Sequence, residues 1–391
     1  MSDLSLLESQ IAALKNRLLS AQQIMNKTRL MEPDLFKGSG DQFNQLIAKQ
    51  RDDIKKLEAA LDNRTKLEKH WKNFLDIKKE CKFLFGEILA FHGGVVVRRT
   101  EFDQRIYQVA DELCRYLSEY TPVKKLITIP GPEDKYTGMT DIIRMRFLDF
   151  SIWGLPVIAH EFGHYLEENE RKQRFPELFW NLLEGKDLKN NLPFLKEQFA
   201  DLFATYALGP AYAGMCIFLE FDPYKANQTW TKHPTYAERV YFILAALRKM
   251  DSEDKTLPNK VIIDRLEQTW SENLKLLDQN PIIKDQILDQ RIEEMYKIIT
   301  NREIKLAGVR YNHRYRTSEL TDVLDSILTQ KYLTKEEMDR KLVGKLLNYK
   351  DRKHLVDIFN IAWLHRLENK RSDPNQISEV TLAMCHHIMS R

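Results

Sequence analysis

The chain has 391 residues, of which 43% are hydrophobic and 30% charged, with a formal net charge of +3. That length suggests two or three domains with a sizeable core, and so small a charge gives no reason to expect a nucleic-acid partner. The four cysteines form no C-x-x-C pair, so they predict neither a disulfide framework nor a cysteine-type zinc site. No secretory signal or transmembrane segment is recognised, and a cytoplasmic protein is expected.

Residues 1–85 are expected to form a helical hairpin with the pattern of a coiled coil. Apolar residues recur at alternating steps of three and four from Leu4 to Met25, which is typical of a coiled-coil seam. Turn-forming residues at 32–41 follow, and a second, charge-rich helix then continues to Phe74. The arm either docks a protein partner or a second copy of the chain, or it packs internally, and heptads alone do not separate these interpretations.

Residues 86–255 are expected to form a second domain that combines helices with a small β-sheet. His92-Gly93-Gly94 predicts a break, and Val95-Val96-Val97 a short strand after it. The apolar runs 126–129 and 142–147 predict two further strands. The second of these directly precedes the most informative motif in the chain.

Five consecutive residues, His160-Glu161-Phe162-Gly163-His164, spell H-E-x-x-H inside an apolar stretch. Residues four apart lie on one face of an α-helix, so both imidazoles can bind a single Zn²⁺. Glu161 is then placed to take a proton from a metal-activated water rather than to bind the metal. The alternative is a structural cluster of polar side chains, but such groups are rarely buried without partners or a metal.

A catalytic zinc keeps three protein ligands and one open position, which requires a third ligand downstream. Glu197 is the best candidate, because the residues after Pro193 predict a helix with an apolar face of helical period. Asp201 lies one turn beyond Glu197 and is placed to accept the free N–H of a ligand imidazole, which would orient the ring. The plain alternative is that both carboxylates merely solvate a helix.

Three segments together resemble the pattern of gluzincin peptidases of the HtpX and CAAX prenyl endopeptidase kind. They are H-E-F-G-H at 160–164, E-x-x-x-D at 197–201 and H-P-x-x-x-x-R at 233–239. The resemblance implies one Zn²⁺ per chain, bound by the two histidines of the first segment and by Glu197. It also implies that Glu161 is the general base.

The same resemblance implies roles for residues around the metal. His233 would stabilise the oxyanion of the tetrahedral intermediate, and Arg239 would pair with a site carboxylate such as Asp201. In enzymes of this kind, an edge strand of the sheet pairs with extended substrate. The residues of that strand would be Ile143, Arg144 and Met145. An ordinary half-buried strand is the alternative interpretation of this segment.

The resemblance covers about residues 90–250 and predicts a zincin-like catalytic core. Members of that family are largely embedded in membranes, whereas the longest uncharged run here, Leu202 to Leu219, is broken by Gly209-Pro210. Two short buried helices and a soluble relative of the family are therefore expected. The fold class predicted for the whole chain is α+β and predominantly α-helical.

Residues 256–391 are expected to form a C-terminal helical domain without catalytic residues. Helical periodicity fills six segments, 261–277, 282–299, 318–328, 335–347, 352–367 and 377–389. His386 and His387 are adjacent and so point in different directions on a helix, which argues against a metal pair. A scaffold or partner-binding bundle is the favoured interpretation.

The sequence therefore predicts a zinc-dependent endopeptidase that acts on a protein or peptide substrate. The alternative is a non-catalytic helical adaptor or scaffold whose degenerate peptidase core binds zinc only for structure. A structural site would be closed by a fourth protein ligand, whereas a catalytic site keeps an open position.

Overall fold

The computed structural model gives a predominantly helical protein with one small β-sheet, which confirms the coarse fold class expected from the sequence. The described residues are 3–33, 39–61, 67–100, 105–121, 126–131, 135–137, 142–146, 151–170, 188–231, 233–253, 260–281, 285–300, 306–311, 317–330, 334–346, 349, 351–368 and 372–389.

The chain divides into two compact units. The first contains Met1–Arg105, Ile127–Glu133 and Thr137–Phe147, and the second contains Ile106–Leu126, Asp134–Tyr136 and Leu148–Arg391. Of the domain boundaries expected from the sequence, residue 85 lies inside a long helix of the first unit, and residue 255 lies outside the described residues.

The first unit is built mainly from three long helices that pack against one another. They are α1 (Asp3–Met31), α2 (Ser39–Ala60) and α3 (Leu67–Arg99). The predicted seam of α1 is buried at each position from Leu7 to Met25. The expected continuous helix up to Phe74 is wrong, because α2 and α3 are separate helices that contact each other. Phe43 and Phe91 meet across them, with ring centroids 5.3 Å apart, in the core that the three helices enclose.

Three short strands form one sheet. They are β1 (Ile127–Gly131), β2 (Lys135–Thr137) and β3 (Ile142–Arg146). Their order is β1-β3-β2, and β1 runs parallel to β3 with Ile127 opposite Ile142 and Gly131 opposite Arg146.

The expectation that Ile143, Arg144 and Met145 lie in an edge strand of the sheet is wrong. These residues lie in β3, the middle strand, so neighbouring strands already occupy both of its sides. All three residues are buried, and Arg144 forms an ion pair with the buried Glu87 of α3. The basic residue at position 144 of this strand is therefore half of a buried charge pair, whereas Arg146 at its end is exposed.

Helix α3 continues through the glycines at which the sequence predicted a break. Gly93 and Gly94 are helical, and residues 95–97, expected as a strand, also belong to α3. Both expectations are wrong because packing outweighs the low helix propensity of glycine. A Cβ atom at Gly94 would lie 2.9 Å from the Cβ of Ile129 in β1, so the missing side chain lets α3 approach that strand closely.

Most of the described residues of the second unit are helical. In chain order they are α4 (Ile106–Glu119), α5 (Val157–Glu170), α6 (Leu188–Leu208), α7 (Pro210–Met215), α8 (Tyr236–Glu253), α9 (Lys260–Leu276), α10 (Gln286–Thr300), α11 (Thr317–Leu328), α12 (Lys335–Lys345), α13 (Lys353–Glu368) and α14 (Pro374–Met389). Helix α5 packs along α6, and α6 packs against α8. The elements that carry the three segments of the sequence pattern therefore meet within one unit.

The six helices expected beyond residue 258 are present as α9 to α14, with bounds that differ from the expected ones by a few residues. The expected break at Gly209-Pro210 is also present, since it separates α6 from α7. Helix α13 packs against both α14 and α7, within the second unit. Among the described residues, no helix combines the length and apolarity that crossing a membrane requires.

Replacing the two adjacent glycines of α3 with alanine is expected to change stability in opposite directions. Gly93→Ala should raise the free energy of unfolding by about 1 kcal/mol, because alanine is the better helix former and its Cβ would meet no atom within 4 Å. Gly94→Ala should lower it by about 1–3 kcal/mol, because its Cβ would collide with Ile129. Denaturant unfolding measures both changes. Equal changes in the free energy of unfolding for the two variants would contradict the close approach of α3 to β1.

Candidate metal centre

Helix α5 carries the two histidines of the H-E-x-x-H motif. His160 and His164 lie four residues apart and so on one face of the helix, and their Nε2 atoms are 3.1 Å apart. His160 is buried, whereas the His164 side chain is 22% exposed. The helix therefore presents two imidazole nitrogens to one point.

Helix α6 brings the carboxylate of Glu197 to the same point. Its Oε1 atom is 3.3 Å from Nε2 of His164, and its Oε2 atom is 3.5 Å from Nε2 of His160. One ligand atom from each of the three residues lies within 4.8 Å of the other two. In the part of the chain that the structure describes, this is the one cluster of histidine, cysteine and acidic side chains with the spacing of a metal site.

The crossing of α5 and α6 depends on Gly163. A Cβ atom at this position would lie 2.8 Å from the Cα atom and 3.2 Å from the Cβ atom of Ala200. Only glycine lets the two backbones approach this closely. Gly163 directly precedes His164, and Ala200 is three residues beyond Glu197, so the small residues at the crossing set the distance between the histidines and Glu197.

Asp201 on α6 is completely buried and contacts two other residues expected at the site. Its Oδ1 atom is 3.0 Å from Nδ1 of His160. Arg239 of α8 donates two hydrogen bonds to it, from Nε to Oδ2 at 2.8 Å and from Nη2 to Oδ1 at 2.6 Å. The structure thus brings Asp201 together with both partners that the sequence analysis assigned to it.

Tyr212 of α7 is a further member of this network, and the sequence analysis missed it. Its buried hydroxyl group donates a hydrogen bond to Oδ1 of Asp201 at 2.5 Å and lies 3.0 Å from Nδ1 of His160. Burial and the neighbouring Asp201 raise the pKa of Tyr212 well above its usual value, so the hydroxyl stays protonated. The sequence signal for Tyr212 is weak, since an aromatic residue in an apolar run is equally typical of a core position.

The network keeps two buried carboxylates ionised. Burial raises the pKa of Asp201, but the guanidinium of Arg239 and the contact with His160 outweigh it and hold the pKa at about 2. Burial also raises the pKa of Glu197, but hydrogen bonds from three histidines and the nearby Arg239 hold the pKa far below its usual range. Both side chains therefore carry a negative charge at neutral pH.

The contacts of His160 define which of its nitrogens can bind a metal. The carboxylate of Asp201 only accepts hydrogen bonds, so Nδ1 of His160 carries a proton. In the neutral ring, Nε2 then holds a lone pair that faces His164 and Glu197. Burial lowers the pKa of His160, but the hydrogen bonds with Asp201 and Glu197 outweigh burial and raise the pKa to about 10. In the metal-free protein, His160 therefore also carries a proton on Nε2, at the position where a metal cation would bind.

Glu161 directly follows His160 but does not belong to the donor cluster. Its side chain is buried, and its Oε2 atom accepts a hydrogen bond of 2.5 Å from the backbone N–H of Tyr136 in β2. The sequence analysis did not identify Tyr136, because a backbone donor leaves no signal in residue type. This hydrogen bond fixes the orientation of the Glu161 carboxylate.

The third segment of the sequence pattern contacts both carboxylates of α6. His233 is half exposed, and its Nδ1 atom is 3.1 Å from Oε1 of Glu197. Arg239 stacks over the ring of Phe221, with its guanidinium carbon 4.9 Å from the ring centroid, and its Nη1 atom is 3.7 Å from Oε2 of Glu197. The oxyanion role of His233 stays a prediction.

No protein-family model, no curated protein and no solved structure matches this chain. The function of this candidate site is therefore inferred from its own geometry and chemistry.

Proposed function

We propose that the protein is a zinc-dependent endopeptidase with a zincin-like core, of the gluzincin kind that its sequence resembles. The observation that carries this proposal is the convergence of His160, His164 and Glu197 within 4.8 Å. A buried Glu161, held by the N–H of Tyr136, follows directly on the same helix. Two histidines and a glutamate from an H-E-x-x-H helix are the residue types that zinc peptidases use for metal binding and proton transfer.

The charges at the site support a divalent cation. Glu161, Glu197 and Asp201 contribute three carboxylates, and Arg239 contributes one guanidinium. With neutral imidazoles, the balance is two negative charges, and buried charges require compensation. A proton on His160 offsets one of these charges, whereas Zn²⁺ offsets both.

The number of donors supports a catalytic rather than a structural site. A structural zinc is usually closed by four protein ligands, whereas a catalytic zinc has three and keeps one position open. Within the described residues the cluster has three members. His233 lies close to Glu197 but outside that cluster.

The proposed reaction is hydrolysis of a peptide bond. When bound, zinc supplies a Lewis acid that activates water and polarises the scissile carbonyl group. Glu161 takes the proton from the attacking water and then delivers it to the leaving amine. The N–H of Tyr136 keeps the Glu161 carboxylate in one orientation for both transfers.

His233 and Arg239 have different roles in this proposal. The half-exposed His233 is next to the donor cluster, where an imidazole N–H donates a hydrogen bond to the negative charge that develops on the carbonyl oxygen. Arg239 is bound to Asp201 by two hydrogen bonds. Because Asp201 orients the ring of His160, Arg239 is a positioning residue.

Glu161→Gln is expected to retain zinc and to lose activity. The glutamine amide oxygen can still accept the hydrogen bond from Tyr136, but the side chain cannot take up a proton. Cleavage of unfolded casein should fall by about 10²- to 10⁴-fold, while elemental analysis should still find one zinc per chain. Glu168→Gln on the same helix is the control. Full activity of Glu161→Gln would exclude Glu161 as the base, and zinc without cleavage in the wild type would favour the non-catalytic adaptor.

Glu197→Ala is expected to lose the metal, because two imidazoles alone hold zinc weakly. Elemental analysis after purification without chelators measures the zinc content. Glu167→Ala is the matched control. Glu167 is a glutamate of α5 whose carboxylate also contacts the neighbouring helix, since it pairs with Lys196 of α6 at 3.1 Å. Stoichiometric zinc in Glu197→Ala would contradict the assignment of the third ligand. Absence of zinc from the wild type would contradict the metal site itself.

Gly163→Ala is expected to weaken zinc binding without changing a ligand. The added methyl group would push α5 away from Ala200 and so separate the histidines from Glu197. We expect zinc affinity to fall about 10-fold and the free energy of unfolding to fall by about 1–3 kcal/mol. Competition with a chromophoric chelator measures the affinity. Gly344→Ala is the control, since a Cβ there would meet no atom within 4 Å; equal zinc affinity in both variants would contradict the role of the helix crossing.

A further inference from the structure

Asn360 of α13 is a buried amide that binds both ends of a break in the chain. Its Nδ2 atom donates hydrogen bonds to the carbonyl oxygens of Leu208 and Val356, each at 2.8 Å. Its Oδ1 atom accepts a hydrogen bond from the N–H of Ala211 at 2.9 Å. Leu208 ends α6 and Ala211 lies in the first turn of α7, so one side chain joins two consecutive helices.

Two of the three backbone groups that Asn360 binds, the Leu208 carbonyl and the Ala211 N–H, are groups that helices leave without an internal partner. The last carbonyl groups and the first N–H groups of an α-helix lie beyond its own hydrogen-bond ladder. Between them, Gly209 has φ = 59°, in the left-handed region that favours glycine, and Pro210 begins α7. The corner formed by residues 208–211 therefore depends on a partner outside α6 and α7, and Asn360 is that partner.

The corner sets the position of a residue at the metal centre. Tyr212 directly follows Ala211, and its hydroxyl reaches Oδ1 of Asp201 and Nδ1 of His160. Asp201 lies on α6, before the corner, whereas Tyr212 lies on α7, after it. The geometry of the corner therefore fixes the distance between the Tyr212 hydroxyl and its two partners.

We propose that Asn360 is a positioning residue of the metal centre and that it acts through Tyr212. This inference rests on the proposed metal site. Asn360 holds the corner, the corner places the Tyr212 hydroxyl, and the hydroxyl together with Asp201 keeps the His160 ring in the tautomer that binds metal. Partners of this kind behind a ligand histidine change metal affinity by about 10- to 100-fold.

An amide suits this position because it donates and accepts at the same time. Leucine has a similar size but can do neither, so it would leave the Leu208 carbonyl and the Ala211 N–H buried without a partner. Aspartate keeps the acceptor for Ala211 but sets a negative oxygen against the Leu208 carbonyl. The two substitutions therefore disturb the same corner to different extents.

The test compares zinc release from folded protein in Asn360→Leu, Tyr212→Phe and the double variant. Transfer of zinc to a chromophoric chelator gives the release rate, and circular dichroism shows that each variant is folded. Thr381→Val is the matched control, because Thr381 is a completely buried polar side chain that bonds only to carbonyls of its own helix, α14, among the contacts described.

We expect Asn360→Leu and Tyr212→Phe each to speed zinc release about 10- to 100-fold. The double variant should release zinc no faster than the quicker single variant, since both act on one contact. Thr381→Val should leave the release rate unchanged. Cobalt substitution provides a second readout, because the visible spectrum of bound Co²⁺ reports the ligand geometry.

Release from Asn360→Leu at the wild-type rate, or at the rate of Thr381→Val, would overturn the inference and leave the proposed function intact. Multiplicative effects in the double variant would overturn the route through Tyr212. If Asn360→Leu does not fold, Asn360→Asp replaces it with the same expected direction and the same contradicting result. A wild-type protein without stoichiometric zinc would overturn the metal site, and with it both proposals.

Discussion

The buried carboxylate of Asp201 is the interaction on which the rest of the candidate site depends. An unpaired charge in this position would be strongly destabilising, because an ion loses several kcal/mol of hydration when it is buried. Asp201 avoids this through hydrogen bonds with His160, Tyr212 and Arg239. Those partners come from α5, α7 and α8, while Asp201 itself lies on α6. One negative charge therefore fixes four helices relative to one another around the three donor atoms.

A second constraint is the contact between the backbones of α5 and α6. Helices that pack through large side chains lie 8–10 Å apart, whereas the missing side chain of Gly163 lets α5 approach Ala200 more closely. The charge network orients the rings, and the crossing sets how near they come to Glu197. Neither feature alone would bring three donors to one point. The combination explains why the motif occupies a buried helix rather than a surface one.

Local sequence patterns predicted correctly those features that depend on residues close together in the chain. The spacing of His160 and His164, the helical period around Glu197 and the six C-terminal helices all follow from residue periodicity. The errors arose where distant contacts decide. Gly94 lies where α3 packs closely against Ile129 of β1, and β3 is a middle strand because two other strands flank it. Neither a packing contact nor the order of strands in a sheet is visible in a local window.

The same distinction explains why Tyr212 and Asn360 escaped the sequence analysis. Asn360 lies between the apolar residues Phe359 and Ile361 of α13 and is separated from Ala211 by 149 residues, so the sequence around it does not indicate its partners. A buried amide is stable only when both its donors and its acceptor are bound. Two of the three groups that bind it, the Leu208 carbonyl and the Ala211 N–H, belong to the break between α6 and α7. The C-terminal helices therefore do more than fill the core. The Asn360 side chain of α13 completes the hydrogen bonding of the corner at residues 208–211. Tyr212, which contacts the residues around the proposed metal, directly follows this corner.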